Sequence, residues 1–366
     1  MVPSALHYND LAFDPHGVND TIIRAIIKKA NLICPDSLAL IGIYGSYATG
    51  DVHKGSDLDL LILINNNNGW KLADAFILDD SNIGYDIYCT SWDMLKEDAK
   101  CNHAHLSKLL DSKIVYINDQ TALQKLYELR SKANWILSSD DRFFCVQRIL
   151  SHAKESFGEC VLSDSLSQIR TLSGKCILLL LDALMLYHGK YFKLGVKRTL
   201  AELSQLPLKF NIEAAVLCII CANSSEEIKI KLKEFFKSVT EHIVIQSERK
   251  SASADCLWGT YEEMYSNWKN KMQEAEISTD VYSSFMNLLS LQNMIHELAH
   301  DTTVPDQEIM DSFNPENLSY NTKVFDSALK AYLAIYEEIG LSPRKHADVA
   351  AFYSAYTSEP NTTVQT

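Results

Sequence analysis

The stretch that most constrains this chain is Gly45 to Ile64, GSYATGDVHKGSDLDLLILI. An apolar run, Leu38 to Tyr44 (LALIGIY), reads as a buried strand and ends in a Gly-Ser turn. A second apolar run, Leu58 to Ile64, carries two carboxylates at its mouth. Strand side chains alternate between faces, so Asp57 and Asp59 share one face while Leu58, Leu60 and Ile62 share the other. Two like charges so close repel each other unless a cation sits between them. Hard carboxylate oxygens suit Mg²⁺. Gly45 allows close backbone approach to a ligand. Ser46 adds a hydroxyl donor, and a helix beginning at Tyr47 to Thr49 would offer free N–H groups to phosphate.

Around this core the pattern stays mixed. Asn19 to Ala30 has helical periodicity, with Ile22, Ile23, Ile26 and Ile27 on one face and Asn19 or Asp20 as a possible cap. Asn65 to Gly69 (NNNNG) is a loop. Ile83 to Cys89 reads as a third strand, residues 105–111 as a short helix and 113–117 as an edge strand. Asp86 lies within that third strand, where a lone carboxylate is costly without a role.

From about residue 121 to 300 nearly every segment has helical periodicity: 121–137, 141–158, 164–188, 212–221, 225–247, 257–274 and 280–300. The polar stretch 301–322 reads as a linker or loop, and a last helix is expected near 323–339. The expected fold class is therefore α+β, a small mixed sheet followed by an all-α region. The expected domains are 1–120 (catalytic), 121–345 (helical, closing the substrate cleft) and 346–366, a C-terminal segment with a disordered tail.

The acids outnumber the bases, 47 to 34, for a net charge of −13. Proteins that bind nucleic acid generally gain affinity by neutralising phosphates, so a polynucleotide substrate is disfavoured, although tRNA stays open. The nine cysteines are irregularly spaced; Cys218 and Cys221 form a lone CxxC with neither a thioredoxin-like context nor a second Cys/His pair, so all read as plain buried thiols, which fits a cytoplasmic setting. The most apolar run, Cys176 to Tyr187, is too short for a membrane span and contains Asp182. No signal peptide is read at the N-terminus.

GSYATG followed by SDLDLLIL resembles the GSxxxG…(S)DxD motif of the DNA polymerase β-type nucleotidyltransferase superfamily. Within it, the short spacing and N-terminal position are most similar to bacterial minimal nucleotidyltransferases and to those that modify aminoglycoside or lincosamide antibiotics. The resemblance covers residues 38–117. It implies that Gly45 and Ser46 hold the β- and γ-phosphates and that Asp57 and Asp59 bind Mg²⁺, with two ions plausible. Asp86 would be the third acid, as metal ligand or general base. The implied reaction moves NMP from an NTP, expected to be ATP, to an acceptor hydroxyl, releasing pyrophosphate. A small-molecule acceptor such as an antibiotic is expected, and a protein or tRNA acceptor is the alternative. In the helical region, Lys190 to Arg198 concentrates four cations. Lys193 or Lys197 could reach the triphosphate and Tyr191 could stack on a base, or the cluster could be a solvated helix end.

His296-Glu297-Leu298-Ala299-His300 fits the HExxH pattern of zinc hydrolases, a remote alternative that lacks a recognisable third ligand. His103 and His105 are candidate acceptor contacts or plain surface histidines.

Overall fold

A computed structural model describes residues 17–52, 56, 58–245 and 249–358. The chain forms two compact units, Met1–Ile245 and Gln246–Thr366. The expected α+β class holds: a small mixed sheet comes first and helices follow.

The first unit begins with α1 (Val18–Ile33), which starts one residue after Gly17. Neither expected cap residue serves as one. Asn19 is buried in the helix, and Asp20 in the first turn pairs with Arg24. Then come β1 (Leu38–Ile43), α2 (Gly45–Thr49), β2 (Leu60–Ile64), β3 (Asp74–Leu78), β4 (Ile83–Ile87), β5 (Cys89–Ser91), α3 (Trp92–Asp98), α4 (Ser107–Leu110) and β6 (Lys113–Ile117). One sheet has the order β5-β2-β1-β6, with β1 antiparallel to β2 and β6, and β2 parallel to β5. The single strand expected at 83–89 is two. β4 pairs with β3 in a separate hairpin, and after Tyr88 the chain joins β2 as β5.

β1 and β2 are buried at every position, because both faces of the sheet are covered. On β2 the faces alternate cleanly. Leu60, Ile62 and Ile64 pack with Ile22, Ile23 and Ile26 of α1, while Leu61 and Leu63 pack toward the later helices. On β1 the alternation slips. Ala39 and Leu40 lie in the same cluster, because a register shift falls between Leu38 and Leu40. Such a bulge turns the residues beyond it to the opposite face. Each fully buried Leu or Ile contributes about 1.5–3 kcal/mol.

The unit continues with α5 (Gln120–Ser138), α6 (Asp141–Leu162), α7 (Leu166–Tyr187), α8 (Thr199–Leu203), α9 (Ile212–Ile220) and α10 (Ser225–His242). Several start on capping side chains. Asp119 accepts from Thr121 N at 2.8 Å, and Asn211 accepts from Ala214 N at 3.0 Å. Residue 120, the expected domain end, opens α5, and the packing runs across it: Ala122 and Leu126 share a core with Leu40, Leu61 and Leu63. Asp182, in the apolar run of α7, is buried and accepts a hydrogen bond from Ala104 N at 3.1 Å. Burial raises its pKa, and nearby His105 pulls it back.

Six cysteines are buried and free, but Cys218, Cys221 and Cys256 are exposed, against expectation. On α9 the residues turned inward are Ile212, Val216 and Ile219, which leaves the CxxC pair outside. Burial pushes the Cys101 and Cys176 thiols up to about 12, so they stay protonated.

The ends of α7 and α10 meet through two histidines, with His188 Nε2 2.9 Å from His242 Nε2. Burial, then the His242 ring and Arg142, lower the pKa of His188; burial and Lys209 lower that of His242. Both rings bind a proton less readily in the fold than in the unfolded chain. Their contribution to stability is therefore full above about pH 6.5 and is lost as pH falls through the lowered folded values. Urea midpoints are expected to be lower at pH 5 than at pH 7.5, and the difference should shrink in His188→Gln. An undiminished difference in that variant would assign the pH response elsewhere.

The second unit holds α11 (Ala254–Leu257), α12 (Thr260–Met264), α13 (Asn270–Ile277), α14 (Val281–Asp301), α15 (Leu318–Glu338) and α16 (Val349–Ser358), with a π turn, Tyr265–Lys269, before α13. Its core gathers Met264, Leu288, Leu291, Phe325, Tyr332 and Tyr336, among others. The tyrosine hydroxyls find partners: Tyr332 meets Thr260 Oγ1 at 2.6 Å, and Tyr336 donates to Glu262 at 3.0 Å. The stretch 301–322 packs within this unit. Val304 and Ile309 are buried, and Asn321 exchanges hydrogen bonds with the Asn314 backbone. Residues 359–366, the expected disordered tail, lie outside the described residues. No helix of the described residues is long and apolar enough to cross a membrane.

Candidate active site

The sheet carries the Gly-Ser turn and the Asp-x-Asp segment to the same end. Tyr44 N donates to Asp59 O at 3.0 Å, extending the β1/β2 ladder by one pair beyond Ile43 and Leu60. The next residue, Gly45, has φ +66°, a left-handed conformation that favours glycine. It is also a cradle. A Cβ at this position would lie 2.7 Å from Asp59 Cγ and overlap the carboxylate. The Asp59 side chain therefore rests against the bare Cα of Gly45.

α2 follows at once and folds back on itself. Thr49 Oγ1 donates to Gly45 O at 3.0 Å, and the Gly50 and Asp51 amides both donate to Ser46 O, at 2.9 and 3.1 Å. Gly50, at φ +80°, ends the helix. The Ser46 carbonyl is thus held by two following amides.

A cleft of about 540 Å³ opens over this turn. One wall holds Gly45, Ser46, Thr49, Asp51, Ser56 and Asp59; the other is Gly195 to Arg198, in the segment before α8. Arg198 reaches Asp51 with two guanidinium nitrogens, Nη2 to Oδ1 at 3.0 Å and Nε to Oδ2 at 3.3 Å.

Of the residues expected at the site, Gly45, Ser46, Asp59 and Lys197 line this cleft together. Asp57 lies outside the described residues. Asp86 is exposed on β4, opposite Ala75, and does not line the cleft. The β2/β5 pairing begins at Ile62 with Cys89, and Asp86 lies before it, in the separate β3/β4 hairpin. Lys193 is turned elsewhere: its ammonium lies over the Tyr191 ring at 5.2 Å, and its amide donates to Glu202. Tyr191 is engaged as well, donating to Asp111 at 2.7 Å. Burial and that carboxylate hold its phenol well above the ordinary tyrosine value. Asp51 and Arg198 are the cleft residues that sequence reasoning missed. The only signal was the run of cations in which Arg198 sits.

The residues present fit a hard divalent cation. Mg²⁺ binds through one or two carboxylates and completes its shell with substrate phosphates and water. Asp59, facing a cleft of triphosphate size, is a donor of that kind. Among the described residues no three His, Cys, Asp or Glu side chains form an all-protein metal cage.

The HELAH segment builds no such cage either. On α14, Ile295 and Ala299 turn inward. His296 pairs with Asp306 and His300 with Asp301, each at 2.8 Å through Nδ1. Two exposed histidines on separate carboxylates do not make a zinc centre. His103 meets Asp98 at 3.3 Å, and His105 stacks on Phe192 with ring centroids 4.9 Å apart.

No curated protein matches the chain. Among solved structures, it matches a nucleotidyltransferase-like protein from Exiguobacterium sibiricum 255-15 at 11% identity, over 90% of this chain and 96% of that one. The TM-score of 0.33 is too low for that likeness to bear on fold or function. Residues 23–137 match the family model described as the nucleotidyltransferase domain, and that span contains β1, the Gly45 turn, Asp59 and β6. The chain therefore carries a nucleotidyltransferase domain at residues 23–137, and the enzyme is a nucleotidyltransferase.

Proposed function

We propose that this enzyme transfers NMP from a Mg²⁺-bound NTP, with ATP the expected donor, to a hydroxyl of a small polyhydroxylated or aminated acceptor of the aminoglycoside or lincosamide kind, releasing pyrophosphate. The observation that carries this reading is the cleft that sets Gly45, Ser46 and Asp59 across from Lys197 and Arg198. Anion-binding groups and a metal-binding carboxylate face one space large enough for a triphosphate.

Ser46 and the Gly45 turn bind the β- and γ-phosphates, and Lys197 approaches them from the opposite wall. Asp59, with Asp57, holds the cation. When bound, that cation neutralises charge on the attacking and leaving oxygens of an in-line displacement. Asp86, three residues before β5 on the neighbouring hairpin, is the third acid, as a further ligand or as the base that takes the acceptor's proton. The net charge of −13 favours a cationic acceptor over a polyanion.

The test supplies Mg²⁺ and each α-³²P-labelled NTP with an aminoglycoside and lincosamide panel, lysate protein and total tRNA. Label is expected in the small-molecule fraction and absent with Asp59→Asn. Label in a protein or RNA band instead would move the assignment to a regulatory or toxin-type enzyme. Label nowhere, with no Mg·NTP binding, would sink the reaction.

A further inference from the structure

The pair Arg198–Asp51 joins residues 147 positions apart, on opposite walls of the cleft. Arg198 ends the short 3₁₀ turn Val196–Arg198. The carboxylate on the helix just after it, Glu202, is engaged with the amides of Lys193 and Leu194 at 3.0 and 2.9 Å. Asp51 is itself anchored, its amide bonded to Ser46 O. Its carboxylate therefore holds the guanidinium in the cleft that Ser46 also lines, where the phosphate reading places the β- and γ-phosphates.

We propose that Asp51 is an internal stand-in for the triphosphate: it holds Arg198 while the cleft lacks nucleotide, yields it to the β- and γ-phosphates when NTP enters, and takes it back as pyrophosphate leaves. This rests on the nucleotide reading above. Three features support the exchange. A guanidinium fork binds carboxylate and phosphate with the same two-pronged geometry, so the arginine changes partner without changing its mode of binding. The side chains are 54% and 39% exposed, and a pair so open to water is weak enough to give up. A triphosphate bears several negative charges against the single charge of Asp51. It wins the guanidinium where a monophosphate competes poorly and a nucleoside not at all. Asp51 thus sets a threshold that selects the donor by phosphate number.

Calorimetry with ATP, AMP, adenosine and inorganic tripolyphosphate tests this on the full chain with Mg²⁺ present. Asp51→Asn is expected to tighten ATP and tripolyphosphate about threefold or more, leaving adenosine unchanged and AMP nearly so. Arg198→Gln is expected to weaken ATP and tripolyphosphate by about tenfold or more. In the Arg198→Gln background, Asp51→Asn should no longer tighten either. Weaker tripolyphosphate binding by Asp51→Asn would overturn the exchange, because Asp51 would then position the arginine. An equal gain for ATP and adenosine, or a gain that survives Arg198→Gln, would overturn it too. If wild type binds neither ATP nor tripolyphosphate, the nucleotide reading itself falls. Both substitutions are at part-exposed sites, and unchanged thermal melts confirm that the variants are folded.

Discussion

Asp59→Asn is expected to slow pyrophosphate release by about a thousandfold while leaving the urea midpoint close to wild type. The amide has the same shape as the carboxylate and can rest against the Gly45 Cα in the same way. It lacks the negative charge that a hard cation requires. Metal-assisted charge neutralisation supplies several kcal/mol at the transition state, and each 1.36 kcal/mol is tenfold in rate. The backbone bond from Tyr44 N to Asp59 O is unaffected by the change, so the fold keeps its register. A coupled pyrophosphate assay beside a urea titration reads both quantities. Turnover within a few-fold of wild type would remove Asp59 from the reaction and with it the assignment of this cleft as the catalytic centre.

Gly45→Ala is expected to cost about a hundredfold in turnover and to lower the melting temperature by a few degrees. Two costs add at this position. A side chain at φ +66° carries about 1–2 kcal/mol of backbone strain. The new Cβ would also occupy the place of the Asp59 carboxylate. Either the turn or the acid must move, and a displacement of about 1 Å at a reacting centre is worth about a hundredfold. Gly50 is the natural control. Its φ is +80°, but a Cβ there meets nothing within 4 Å. Gly50→Ala should therefore show the stability loss with much less loss of rate. Equal rate losses in the two variants would mean that strain alone, and not the contact with Asp59, explains the need for glycine at position 45.

Much of the fold was legible in the order of residues, because period-2 and period-3.6 patterns report burial directly. The runs at 38–44 and 113–117 became β1 and β6, and 141–158, 164–188 and 280–300 became α6, α7 and α14 with ends shifted by a few residues. β3 was not legible. Its pattern of exposed and half-buried positions gives no apolar alternation, since it pairs only with β4. The break at Tyr88 was hidden too, because both halves of 83–91 suit a strand and only their different partners separate them. At the site, Gly45, Ser46 and Asp59 were readable because one local segment places all three. Arg198 and Asp51 were not, since a contact between such distant residues leaves no spacing to read. Lys193 and Lys197 looked equivalent in sequence. The amides of residues 193 and 194 bind Glu202, and Lys197, not Lys193, reaches the cleft.

Because β1 is buried at every position and packed from both faces, its amide hydrogens should exchange with solvent only when the whole first unit opens. The Gly45 turn is joined to the end of this strand and forms one wall of the cleft. The segment Gly195–Arg198 has no buried residue among Val196 to Arg198 and is held across the gap by a solvent-exposed ion pair. The two walls of the cleft are therefore held unequally, and the amides of Val196 to Arg198 should exchange with solvent well before those of β1.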